Sequence, residues 1–373
     1  MYGAQLIEAL RRQSIATQPL EFFGVGGERM RAAGCDIVVD SKDLAVVGIS
    51  EIVSQLPKIW RLFQRLIGEA DKRKPDLAIV IDSPAFNWRV ARQMQKRGIP
   101  VIYYVAPQFW AWRQGRVRLI RKYIKKALVI FPFEEKFYRD RGVDAVFIGH
   151  PLASIPKPNM DRLKYAAEHK LDPDKQWITI MPGSRVKEVR MNLSTMLEAA
   201  AKFGTGYEFL LPVAPTLERE FVQSLIGNQP IRPVRNALEA LSLSRAGIIA
   251  SGTATVEAAL MGTPFVMVYR VTPLTYLLGR WRVKVPHFAM VNLIGGKEVV
   301  PELVQADFTV ENVVNHMKSI LADGPVRERM LADLQMVRER LQGTTWNDSP
   351  APDRAAEIIL ELMTPARTSP IPA

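Results

Sequence analysis

The sequence predicts an α/β protein of two lobes, each built on a parallel β-sheet. Three observations carry this expectation. Short, continuously apolar runs alternate with amphipathic stretches, the pattern of strands buried on both faces beneath helices. The rhythm pauses at a Pro-rich stretch holding Pro151, Pro156 and Pro158, then restarts. The length, 373 residues, exceeds what one hydrophobic core ordinarily supports.

In chain order, the first lobe offers strands at 21–25, 77–82, 101–106, 128–131 and 146–149, with helical patterns at 52–71 and 90–97. The second offers strands at 177–181, 208–213, 247–250 and 265–269, with the best-marked helices at 193–202 and 255–261. A last helix, 353–363, puts Ala356, Ile359, Leu360 and Met363 on one stripe. The expected domains are 1–160, 161–345, and a linker with helix over 346–373 that packs on either lobe, with a return to the first as one option.

Composition narrows the partners. Lys and Arg outnumber Asp and Glu by 50 to 38, a surplus of +12 that favours phosphorylated substrates, an acidic membrane surface or nucleic acid. The single cysteine, Cys35, excludes an intrachain disulfide, and four scattered histidines do not suggest a zinc cluster, a pattern that suits a reducing cytoplasm. The first residues lack a secretory signal, and no run of about 18 apolar residues occurs, so membrane contact is expected to be peripheral.

Two segments repeat one geometry. The strand at 177–181 runs into Pro182-Gly183-Ser184-Arg185 and a helix; the strand at 247–250 runs into Ser251-Gly252-Thr253-Ala254 and a helix carrying Glu257. Such junctions gather unpaired N–H groups and the positive end of a helix, worth roughly half a charge. Glycine lets a phosphate approach the backbone, and Arg185 adds a cation of fork geometry. Glu257 is placed to accept hydrogen bonds from ribose hydroxyls. Either loop alone reads as an ordinary turn and N-cap; the pair points to a nucleotide. Gly24-Val25-Gly26-Gly27 fails the dinucleotide fingerprint, because Arg29 stands at the third glycine. Asp172-Pro173-Asp174 is expected to be a solvated turn, and neither metal nor cofactor is expected.

In the first lobe, Asp82 ends a buried strand where a carboxylate faces a ligand crevice and can take a proton from a hydroxyl. A turn cap is the competing reading for it. Trp110, Trp112 and Arg113 follow the next strand, either to stack on substrate or to roof the sheet. Ile52, Val53, Leu56, Ile59 and Trp60, interleaved with Lys58, Arg61 and Arg65, suit a helix lying in a membrane interface, with a core helix as the alternative.

Together these segments resemble lipid-A-disaccharide synthase. The resemblance is carried by Gly24-Val25-Gly26-Gly27-Glu28-Arg29-Met30, Ile81-Asp82-Ser83-Pro84-Ala85-Phe86-Asn87, Trp110-Ala111-Trp112-Arg113 and Phe147-Ile148-Gly149-His150-Pro151. In the second lobe it is carried by Met181-Pro182-Gly183-Ser184-Arg185, Ser251-Gly252-Thr253-Ala254-Thr255-Val256-Glu257, Asn292-Leu293-Ile294, Glu298 and Pro301-Glu302-Leu303-Val304-Gln305. It implies a GT-B fold, two Rossmann-like lobes with an interlobe cleft. It also implies transfer of 2,3-diacylglucosamine from UDP to the 6-hydroxyl of 2,3-diacylglucosamine 1-phosphate, on the inner face of the inner membrane. Asp82 falls at the family's proposed general base and Arg185 at its diphosphate-binding arginine; Asn292 and Glu298 lie in the segment expected near the donor.

Three departures stand out. Val291 replaces the usual Pro, and Gly295-Gly296-Lys297 the usual Ala-Gly-Arg. The family opens on a strand and a loop of the form Gly-Glu-x-Ser-Gly-Asp, whereas residues 2–10 here already read as the helix that follows. The expectation is a missing first strand and a start further upstream. Rival readings are a nucleotide-sugar 2-epimerase of the same fold, a truncated UDP- or membrane-binding protein without turnover, and, last, a nucleic-acid binder.

Overall fold

A computed structural model describes residues 1–14, 19–44, 49–272, 285–343 and 349–363, with side chains outside the description at 49–55. The chain divides into two compact units, Met1–Ser154 with Gln342–Ala373, and Ile155–Leu341. The first boundary lies within the Pro-rich stretch. Residues up to Ser154 stay with the first unit because the short helical turn Pro151–Ser154 packs on the last helix, Ala351–Met363, whose Ala351 N–H bonds Ser154 Oγ at 3.3 Å.

The first unit opens on helix α1 (Tyr2–Gln13). Strands β1 (Phe22–Gly26) and β2 (Cys35–Asp40) pair in parallel, with α2 (Glu28–Ala32) between them. A second parallel sheet runs β3 (Ala78–Ile81), β4 (Val101–Tyr104), β5 (Lys126–Val129) and β6 (Ala145–Phe147) in spatial order. Among the described residues no ladder joins β1 to β3, so the parallel strands of this unit form two separate sheets. Helices α3 (Ile49–Arg73), α4 (Pro84–Lys96), α5 (Val117–Tyr123) and α6 (Pro132–Arg139) share one core. They press Phe63, Leu66, Met94, Val117, Ile120 and Tyr138 together over the strands. The last helix lies along α1, tied by Arg12 to Asp353 at 2.6 Å.

The second unit contains helices α7 (Arg162–His169), α8 (Val186–Ala200), α9 (Arg219–Ile226), α10 (Ala237–Leu243), α11 (Thr253–Met261), α12 (Met290–Gly295), α13 (Val310–Leu321) and α14 (Pro325–Gln342). Its strands are β7 (Gln176–Met181), β8 (Tyr207–Pro212), β9 (Ile231–Val234), β10 (Ala246–Ala250), β11 (Phe265–Tyr269) and β12 (Glu302–Val304). They form one all-parallel sheet in the order β12-β11-β10-β7-β8-β9. From β7 the chain moves outward through β8 and β9, then returns to place β10 on the other flank of β7. The order therefore reverses between β7 and β10, and ligands of open parallel sheets bind at the carboxyl ends beside such a reversal.

Candidate active site

The two Gly-containing turns leave the sheet at that reversal. β7 and β10 are hydrogen-bonded neighbours, so their following turns emerge side by side. At the first, Gly183 adopts φ 124°, and a Cβ there would lie 2.6 Å from Cβ of Glu188, so the turn requires glycine. Ser184 and Arg185 donate their backbone N–H groups to Glu188 Oε2 at 3.1 and 3.3 Å. The Arg185 guanidinium meets Glu188 Oε1 at 3.1 Å, with the arginine side chain 82% exposed. Asn192 anchors the turn from below by donating to the Pro182 carbonyl at 2.9 Å.

The second turn is open. Ser251 is pinned by its hydroxyl to the Phe288 carbonyl at 2.9 Å, and Gly252 adopts φ 141°. Thr255 folds its hydroxyl back onto the Gly252 carbonyl at 2.8 Å. Among the described residues, the N–H groups of Gly252, Thr253 and Ala254 have no internal acceptor, which leaves the N-terminus of α11 facing solvent with three donors. Glu257 is half-buried one turn further on, and no hydrogen bond or ion pair to it is found among the described residues. Burial pushes its carboxyl pKa up.

Asn292 and Glu298, neighbours in sequence, have different parts. Asn292 is fully buried. Its amide donates to the Val300 carbonyl at 2.9 Å and to Glu302 at 2.8 Å, while its oxygen accepts from the Val299 and Val300 N–H groups at 2.8 and 2.9 Å. All four hydrogen-bonding positions are filled by protein, so Asn292 positions the turn that exposes Glu298 rather than presenting a polar atom itself. Glu302, which sequence reasoning assigned no separate part, completes this scaffold by accepting from the Phe288 and Ala289 N–H groups.

In the first unit, Asp82 follows β3. Asp82 and Ser83 both sit at positive φ, 46° and 42°. Such backbone costs about 1–3 kcal/mol per residue and persists only where its surroundings enforce it. Here they do. Asn87 donates to the Ile81 and Asp82 carbonyls at 2.8 and 2.5 Å, and the Tyr103 hydroxyl donates to the Asp82 carbonyl at 2.6 Å. The result turns the Asp82 side chain outward, exposed and without a hydrogen bond among the described residues. No side-chain cap is made at the start of α4, so the turn-cap alternative for Asp82 is not realised.

The two tryptophans after β4 separate. Trp110 is 6% exposed, edge-on to Phe133, and donates its indole N–H to Glu134 at 2.8 Å. Glu134 is fully buried and also accepts from the Ile130 and Phe131 N–H groups, and burial pushes its carboxyl up to about 7. Trp110 is therefore a packing residue that roots the loop. Trp112 is 47% exposed and lies beneath the Arg113 guanidinium, 3.9 Å from its ring centroid. On α3, Leu56 and Trp60 are 53% and 58% exposed on one face, Ile59 is half-buried, and the side chains of Ile52 and Val53 lie outside the described residues. Asp172 accepts the Asp174 N–H at 3.0 Å, the geometry of a local turn.

Glu188 is the site residue that sequence reasoning missed. The signal was present: a glutamate three residues after a helix-capping position closes a capping box.

Proteins built this way are the GT-B glycosyltransferases and the nucleotide-sugar epimerases that share their fold. Solved structures of both kinds align along nearly the whole chain. A putative UDP-N-acetylglucosamine 2-epimerase from Listeria monocytogenes aligns with TM-score 0.57 at 13% identity, over 96% of this chain and 90% of its own. The calicheamicin glycosyltransferase CalG4 aligns with TM-score 0.56 at 17% identity, over 99% and 95%. These likenesses show the fold alone; sequence separates the two classes. The chain belongs to the lipid-A-disaccharide synthase family: the family described as "Lipid-A-disaccharide synthetase" matches residues 1–353. The lipid-A-disaccharide synthase of Koribacter versatilis (strain Ellin345) is 52% identical over 366 residues, 97% of this chain and 95% of the relative. That of Acidobacterium capsulatum is 47% identical over 356 residues, 91% and 88%. The protein is accordingly a hexosyltransferase.

Proposed function

We propose that this chain transfers 2,3-diacylglucosamine from its UDP form to the 6-hydroxyl of 2,3-diacylglucosamine 1-phosphate, releasing UDP. The observation that carries this reading is the pair of neighbouring turns at the β7/β10 reversal, one bearing Arg185 and the other three N–H donors followed by Glu257, all without a partner among the described residues. The leaving UDP gains negative charge as the glycosidic bond breaks. Arg185 and the N-terminus of α11 offset that charge from fixed positions, which is where enzymes obtain much of their rate enhancement. Glu257 takes the ribose hydroxyls, and Glu298 lies on the donor side. Asp82 removes the proton of the attacking 6-hydroxyl; its enforced backbone and a carboxylate without a hydrogen bond among the described residues support that assignment. Attack opposite the leaving group makes the transfer inverting. Trp112 and Arg113 offer the acceptor an aromatic face and a cation for its phosphate.

In the same reading the enzyme works on the anionic inner face of the inner membrane, where its acylated substrates reside. Among the described residues no helix is long and apolar enough to cross a bilayer. The exposed Leu56 and Trp60 of α3, beside Lys58 and Arg61, support an interfacial contact. Charge supports it further. Residues 83–133 contain eleven Lys and Arg and neither Asp nor Glu, so nearly the whole +12 surplus arises from this segment. Arg118, Arg121, Lys122 and Lys125 are exposed on or beside α5, which packs against α4.

Release of UDP from the diacylglucosamine donor, measured in detergent with chelator and with or without acceptor, tests the proposal. Release that requires the acceptor is expected. Release at equal rates without acceptor, or conversion of the donor to its C2 epimer, would contradict it.

A further inference from the structure

The two turns at the β7/β10 reversal differ in one respect: the α11 turn is open, whereas the α8 turn is already occupied by an anion belonging to the chain itself. One oxygen of Glu188 sits on the Ser184 and Arg185 N–H groups, and the other on the Arg185 guanidinium. These are the donors that a phosphate would use at that turn. Gly183 leaves room for the carboxylate, since any Cβ there would strike Glu188 at 2.6 Å from its Cβ and 2.7 Å from Oε2. The pair sits on the turn that leaves the carboxyl end of β7, where the donor is expected.

We propose that Glu188 is an internal stand-in for the donor diphosphate: it holds Arg185 and the α8 turn while the site is empty, is displaced when the nucleotide binds, and thereby sets affinity for the phosphates but not for the nucleoside. The inference rests on the reading that Arg185 binds the diphosphate. Its logic is competition between two anions for one set of donors. A ligand without phosphate gains nothing from removing Glu188. A diphosphate gains the whole set once the carboxylate is gone. The pair is exposed on the arginine side, so the competing interaction is modest and salt-screened.

Three variants separate the possibilities, with UDP and uridine titrated calorimetrically at low ionic strength. Glu188→Gln keeps a capping side chain at the third helical position but removes the charge. It is expected to bind UDP more tightly, on the order of fivefold, with uridine unchanged and the gain shrinking as salt is added. Glu188→Asp keeps the charge but shortens the reach, and is expected to tighten UDP by a smaller factor. Weaker or unchanged UDP binding in the Gln variant would overturn the proposal, as would equal weakening of UDP and uridine, the mark of a purely structural cap. A gain in Gln with none in Asp would overturn displacement, because it would reduce the effect to charge alone. Arg185→Ala tests the underlying reading separately: it must weaken UDP relative to uridine, and if it does not, the diphosphate assignment fails whatever Glu188 does.

Discussion

Replacing Asn292 with alanine separates a scaffold residue from a ligand contact. The parent amide fills four positions: the Val299 and Val300 N–H groups, the Val300 carbonyl and Glu302. Val299 and Val300 are buried, so the alanine variant strands two backbone donors away from water. Each stranded buried group costs about 1–3 kcal/mol, and two make a loss of about 3 kcal/mol a fair expectation. For a unit of this size that corresponds to a fall in Tm of roughly 6–12 °C. Glu302 keeps its bonds from Phe288 and Ala289, so the fold should survive. Thermal unfolding followed by circular dichroism reads the loss, and UDP titration of the folded variant reads the site. A parent-like Tm together with abolished UDP binding would refute the scaffold assignment and make Asn292 a direct contact.

Other outcomes follow from the same geometry. Asp82→Asn should lower turnover by about 10² to 10⁴ while UDP affinity holds, and near-parental turnover would remove Asp82 as the base. Arg185→Ala should lose both UDP affinity and turnover, measured by calorimetry and UDP release. Glu134 has a folded pKa raised from 4.5 to about 7, so its contribution is present below the unfolded value and is lost as pH rises through that window. Urea midpoints of Glu134→Gln should therefore fall less steeply than the parent's between about pH 4.5 and 7, and parallel slopes would contradict this. Trp60→Asp should reduce co-sedimentation with vesicles rich in phosphatidylglycerol while leaving the rate on detergent-dispersed substrate unchanged; undiminished vesicle binding would remove α3 from the interface.

The parts of the fold legible in the sequence are those whose signal is local. β7, β10 and β11 are continuous apolar runs because they are buried on both faces in the middle of the sheet. β9 and β12 carry little strand signal because they are short edge strands. Pro233 interrupts the first, and it is tolerated there because an edge strand has a side that needs no N–H donors. The helix expected directly after Arg185 begins at Val186, where Glu188 caps it; its apolar pattern is clearest only from 193 because Lys187, Glu188 and Arg190 interrupt the first turns. At the site, the two Gly turns were readable, but their difference was not. Which one carries its own anion depends on how Glu188 folds back three residues. The fates of Trp110 and Trp112 turn on Glu134, 24 residues from Trp110 in sequence and adjacent only through the packing of β4 and β5. The positive φ of Asp82 is imposed by Asn87 and Tyr103 and has no signature of its own.

A single displacement of UDP by the acceptor's 6-hydroxyl, as proposed, fixes both the stoichiometry and the stereochemistry of the product. The most direct test incubates both substrates with the enzyme under chelator and determines the product's linkage and anomeric configuration by NMR, with UDP counted alongside. One UDP per disaccharide and a β-1,6 bond are expected. Retained configuration, a different linkage, or UDP formed in excess of disaccharide would contradict single displacement.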